Sequence, residues 1–246
     1  MVGQSLYTTV LTTRINIKEN CILKKSSRAQ AHQQYKLKSG KRVPGVTTIT
    51  GVLNKPALVK WANNLGLEGI DSSKYVNELG DVGTLTHYRV ECFFTKVEVD
   101  LQDYTPRQIE ASDVAMLKFL DWYKNSGFDF IASELQLVSE KERYGGTIDL
   151  YGKLVSLDQG VPDKCVLIDL KTSGACYPEH YTQVAGGYAP LLRENGYPVD
   201  DVYILRIGRS EEEGFEFRRV PAQDLHEKRF KLCRDLYEIN KRLGIW

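Results

Sequence analysis

The spacing of apolar residues changes midway along the chain. Over about 55–126 they recur every three to four positions, as on amphipathic helices. Over about 127–220 they alternate, or run in short apolar stretches between turn residues, as in strands. Pro56 opens a helix in KPALVKWANNLGLEGI that ends near Gly66 or Gly69, and Asp71-Ser72-Ser73 can cap the next. GTLTHYRVECFF predicts a helix over about 83–94. A longer helix covers about 106–125, with Ile109, Val114, Leu117, Leu120 and Trp122 on its buried side, and Gly127 stops it. Strands follow at about 129–139, 146–157 and 164–171, then a helix over 178–194, strands at 202–208 and 215–220, and a C-terminal helix over about 221–243. Upstream, YKLKSGKRVPGVTTI reads as two short strands around Ser39-Gly40, and residues 1–34 read as an N-terminal extension, either an extra strand or a mobile arm. The order is helices, a strand meander, a helix, strands and a final helix. It predicts an α/β fold with a central mixed β-sheet flanked by helices, in one domain over 35–246.

Three polar residues interrupt the apolar strands. In KCVLIDLKTSG, alternation turns Asp169 and Lys171 to one side and Val166, Ile168 and Leu170 to the other, into a core. In GGTIDLYGKL, Asp149 lies opposite Ile148 and Leu150 by the same rule. Two carboxylates and an amine on one face suit a hard divalent cation such as Mg²⁺, which takes oxygen ligands from one or two carboxylates and a substrate phosphate. The Leu170 carbonyl can add another oxygen. Lys171 would face the attacking water and the scissile phosphate, and two nearby carboxylates favour its staying protonated, hence an electrostatic role over a base role. Alone, D-x-K on a strand is more often a solvated face with a weak salt bridge. Its neighbours add weight: Gly145-Gly146 precede Asp149, and Thr172-Ser173-Gly174 offer small donors to a phosphate. His87 and Glu91 stand at i, i+4 on a helix that begins Gly83-Thr84, a spacing that serves metal ligands and surface pairs alike. In YTQVAGGY, Gln183 can bond a phosphate or base, while Tyr188 can stack on a base or pack in the core.

Composition narrows the classes. The 246 residues are 42% hydrophobic and 26% charged, ordinary for a soluble globular protein. A net charge of +1 provides no global basic field, so any nucleic-acid surface must be a local patch. Arg42, Lys55 and Lys60 are candidates for phosphate contacts and equally for a solvated surface. RSEEEGFEFRR reads as a charged hairpin whose acidic run would lie away from DNA. The five cysteines are scattered, without C-x-x-C, so zinc or iron–sulfur ligation is unsupported, and Cys165 reads as a core thiol. No signal-like h-region or long apolar run occurs, and the expected setting is a reducing cytoplasm with no membrane.

Taken in order, Gly83-Thr84-Leu85-Thr86-His87, Gly146-Thr147-Ile148-Asp149, Asp169-Leu170-Lys171 and Gln183…Tyr188 resemble the RecB-like branch of the PD-(D/E)XK nucleases. Val43-Pro44-Gly45-Val46-Thr47-Thr48-Ile49 and Lys55-Pro56-Ala57-Leu58-Val59-Lys60-Trp61 look like the upstream segment of phage-type exonucleases in that branch, to which the mitochondrial genome-maintenance exonuclease is related. The resemblance covers roughly 35–210. It implies a restriction-endonuclease-like core in which the N-terminal helices form one wall of a DNA channel. His87, Asp149, Asp169 and the Leu170 carbonyl would hold Mg²⁺ or Mn²⁺, with Lys171 as the catalytic lysine. Gln183 and Tyr188, with Thr84, Thr172 and Arg42, would face DNA, and Glu91 becomes an accessory group. One departure stands out. The family helix has three residues between Gln and Tyr, and this chain has four, which on an α-helix turns Tyr188 roughly 140° from Gln183. Either Gly186-Gly187 allow a bulge, or Tyr188 is core. Members with an iron–sulfur cluster need cysteines flanking the nuclease core, and only Cys233 lies near this chain's end.

The expected function is a metal-dependent DNA exonuclease acting at single- or double-stranded ends in phage or mobile-element DNA metabolism, hence in the host cytoplasm. Alternatives are a structure-specific or restriction-like endonuclease on the same site, and a non-catalytic DNA-binding recombination partner. Self-association and a partner protein are left open.

Overall fold

Helices cover both faces of a five-stranded mixed sheet in the computed structural model, which describes residues 34–156 and 160–245. The reading of residues 1–33 lies outside the described residues. A short antiparallel hairpin comes first, β1 (Tyr35–Lys36) and β2 (Arg42–Val43), with Gly40 in the left-handed region at its turn. Then come α1 (Val46–Thr50), α2 (Pro56–Leu67), α3 (Ser72–Thr95) and α4 (Pro106–Asn125). The sheet strands β3 (Phe128–Ser139), β4 (Tyr144–Leu154) and β5 (Lys164–Lys171) pair antiparallel. A helical crossover of α5 (Pro178–Tyr181), a π-helical segment (Thr182–Tyr188) and α6 (Ala189–Glu194) leads to β6 (Asp201–Ile207). Strand β6 lies parallel to β5, a pairing that requires such a crossover. Antiparallel β7 (Phe215–Arg219) closes the order β3-β4-β5-β6-β7, and α7 (Gln223–Arg242) follows.

Two cores sandwich the sheet. On one face Val46, Ile49, Ile148, Leu167, Val184 and Phe230 join α1, the crossover and α7. On the other, Val90, Phe119, Leu150, Val166, Ile168 and Leu205 join α3 and α4. Each such buried side chain stabilises the fold by roughly 1.5–3 kcal/mol. Coverage on both faces explains why β5 is almost continuously apolar. A buried carboxylate there, Asp169, is therefore conspicuous.

Several expectations change. The helix expected over 83–94 is the second half of α3, which starts at Ser72 because the Asp71 carboxylate accepts from the Ser73 and Lys74 N–H groups at 2.9 and 3.1 Å. The segment VTTIT has strand-like composition, yet it forms α1, because Val46, Ile49 and Thr50 bury one helical face. On α4, Leu117 is 68% exposed; Ser112, Ala115, Phe119 and Trp122 are buried instead. Ser112 and Ala115 sit where α4 packs closely on α3, with the Thr86 and Ser112 hydroxyls 3.3 Å apart, while Phe119 and Trp122 fill the second core. The strand expected at 146–157 starts at Tyr144 and ends at Leu154. The charged hairpin forms, and Glu213 is occupied by Arg209, its Oε1 2.7 Å from the guanidinium. Cys165 is half-buried against the first core. No helix among the described residues is long and apolar enough to cross a membrane.

Candidate metal centre

The site forms where β4 and β5 part. Their ladder runs from Leu154↔Lys164 to Leu150↔Ile168 and goes no further. Beyond it the Leu170 N–H donates to Asp149 Oδ2 at 2.8 Å, so a side chain takes the place of a ladder partner. Simple alternation fails at this point. Ile148 packs into the first core and Leu150 into the second, although period two puts them on one face. The pleat inverts at Asp149. Opposite, in the register that pairs Ser133 with Leu150 and Leu135 with Ile148, stands Glu134 with φ +47. A left-handed glutamate in a strand costs on the order of 1–3 kcal/mol and persists only where its surroundings enforce it, commonly at functional sites.

Helix α3 brings His87 over this opening. Its Nδ1 is 3.3 Å from Glu134 Oε1 and 3.6 Å from Asp149 Oδ1, and its Nε2 is 3.1 Å from the Leu170 carbonyl oxygen. One ligand atom from each of His87, Glu134 and Asp149 falls within 4.8 Å of the others, a grouping able to hold a metal ion. The Leu170 oxygen borders the same space and adds a hard donor. Asp169 is buried, and its Oδ2 lies against the Lys171 ammonium, which also reaches the Leu170 oxygen at 3.4 Å.

Three carboxylates here face one ammonium and one imidazole. Burial raises the Asp149 carboxyl, against the opposing pull of His87 and Lys171. Burial likewise raises Asp169 against the pull of Lys171. Burial alone would lower His87, but Asp149 and Glu134 outweigh it and lift the imidazole to about 9. Burial would also lower Lys171, yet Asp169 and Asp149 hold it above its ordinary value, so the amine is a fixed cation. A divalent cation would relieve this crowding of carboxylates, and the mixed oxygen and imidazole donors could hold one.

The expected residues divide in two. His87, Asp149, the Leu170 carbonyl, Asp169 and Lys171 come together, with Asp169 paired to Lys171. A carboxylate that the sequence did not single out, Glu134 on β3, lies at His87. Glu134 belongs to no local motif, and only the long-range β3–β4 register sets it beside Asp149. The second set lies around the centre. Tyr188 is half-buried with its ring over Gly146, where an added Cβ would sit 2.7 Å from the ring. Burial, then Asp169 and Asp149, push its phenol well above the usual range. The fifth-residue spacing from Gln183 is met by the π-helical segment, whose i→i+5 bonding stacks residues five apart. Gln183 itself is buried and donates to Thr50 Oγ1 at 2.9 Å. Thr172 is buried against Gly83, and the half-buried Thr84 hydroxyl donates to the Gly80 carbonyl at 3.0 Å. Arg42 and Lys60 are exposed, whereas Lys55 pairs with Glu179 at 3.1 Å.

Two further groups belong to the surroundings. The ring of Tyr35 packs on Gly145, its hydroxyl lies 3.0 Å from Thr147 Oγ1, and burial raises its phenol. His180, on α5, accepts the Tyr177 N–H at Nδ1 over 3.4 Å. Burial and then the Lys171 charge lower His180 to about 4, so its ring is neutral.

No protein-family model matches the chain, and no curated protein matches it. Among solved structures it is similar to one described as "Crystal structure of SSO0001", at 12% identity and a TM-score of 0.35, over 93% of this chain and 86% of that one.

Proposed function

We propose that the chain is a Mg²⁺- or Mn²⁺-dependent deoxyribonuclease of the RecB-like PD-(D/E)XK type that hydrolyses phosphodiester bonds at DNA ends. The observation that supports it most is the convergence of His87, Glu134 and Asp149 within 4.8 Å beside a lysine fixed on a buried aspartate. In this reading His87, Glu134, Asp149 and the Leu170 carbonyl hold the metal, with Asp169 beside them. When bound, the metal would polarise a phosphate oxygen and favour deprotonation of an adjacent water. Lys171 donates from Nζ to the developing phosphorane charge, and its raised pKa suits a donor better than a base. Asp169 keeps that ammonium in place. The attack gives a 5′-phosphate and a 3′-hydroxyl, as in the family it resembles.

Lys171→Ala separates chemistry from binding. Cleavage of end-labelled DNA should fall by at least about 10²-fold, the scale of losing one preorganised donor. DNA affinity in Ca²⁺ should stay within a few-fold. Wild-type cleavage by this variant would overturn the role given to Lys171.

A further inference from the structure

Helix α7 has two apolar faces. One, with Phe230 and Cys233, is buried in the first core. The other carries Leu225, Leu232, Leu236 and Ile239, and the C-cap residue Leu243 continues it, each at least 45% exposed. Their spacings of seven, four, three and four are those of a coiled-coil seam, unlike the scattered apolar residues of an ordinary surface.

We propose that this stripe pairs with the same stripe of a second copy, in antiparallel orientation. Charge selects the orientation and the register. Setting Leu236 against Ile239 of the second copy, and Leu232 against its Leu243, makes four apolar layers about a two-fold axis. The same register sets Asp235 beside the second copy's Arg242, twice over, and both residues are exposed. Among the described residues Asp235 is paired with the neighbouring Arg234, at 3.5 Å across the surface. Sliding by one heptad to pair Asp235 with Lys228 would put Arg229 opposite Leu232. Arg229 instead donates to Thr182 Oγ1 of its own chain at 3.0 Å. A parallel pair would match Asp235 with Asn240 and gain no ion pair, and it would align the helix dipoles unfavourably. A two-fold, self-complementary surface of this kind is the ordinary route to a dimer.

Sedimentation velocity on the full chain tests it. The wild type should be a dimer and Leu236→Glu/Ile239→Glu a monomer with unchanged circular dichroism, since both side chains are exposed in the single chain, and with a Tm that no longer rises with protein concentration. Asp235→Arg and Arg242→Asp should each weaken the dimer on the order of tenfold, and the double reversal should restore it. A monomeric wild type would overturn the proposal, including one whose stripe binds some other protein. So would a dimer that survives the paired glutamates, or a double reversal no tighter than the single ones.

Discussion

Glu134 shows how a single residue can escape a local reading. His87, Asp149, Asp169 and Lys171 stand in short motifs whose spacing points to metal chemistry before any fold is known. Glu134 stands alone in FDFIASELQLVS, and its role arises from a cross-strand register and a left-handed φ. Glu134→Gln should therefore weaken Mn²⁺ binding by about tenfold or more, whereas Glu91→Gln should leave it nearly unchanged. Titration calorimetry decides, and the reverse ranking would return the ligand role to Glu91. His87 yields a pH prediction for the metal-free protein. Its folded pKa of about 9 exceeds the ordinary 6.5. The stability it contributes is thus complete below pH 6.5 and is lost as pH rises through about 9. Tm should fall across that window, and His87→Gln should remove that part of the decline. A parallel decline in wild type and variant would mean that His87 is not held as a cation.

At the scale of elements, the inversion at Asp149 and the π-helical segment serve the same centre from two directions. Alternation places Val166, Ile168 and Leu170 correctly because β5 is regular, and it fails for Ile148 and Leu150 because β4 is not. No local rule encodes such an inversion; it follows from two strands separating around charged groups. The extra residue between Gln183 and Tyr188 was visible as a mismatch with α-helical geometry, and the π-helical segment absorbs it. Close packing holds that segment against α7: a Cβ added at Gly186 would sit 2.3 Å from the His226 carbonyl oxygen and 2.7 Å from Phe230 Cβ. Gly186→Ala should cost roughly 1–3 kcal/mol of stability in urea unfolding. An unchanged midpoint would show that α7 gives way freely.

For the whole molecule, the order of elements was legible because both periodicities are strong and turn residues punctuate them, so β5 spans 164–171 as read. What the pattern lacked was which helix covers which face. That arrangement sets α3, with His87, over the gap between β4 and β5, and leaves one side of α7 open. The central claim is that this gap is a nuclease centre. Its most direct test is product analysis with Mg²⁺ on end-labelled linear single- and double-stranded DNA beside covalently closed circles. The account predicts metal-dependent release of nucleotides or short fragments from linear ends, sparing of closed circles, and loss of activity in Asp149→Ala. Cleavage of closed circles would make the enzyme an endonuclease, and no metal-dependent cleavage of any substrate would contradict the account.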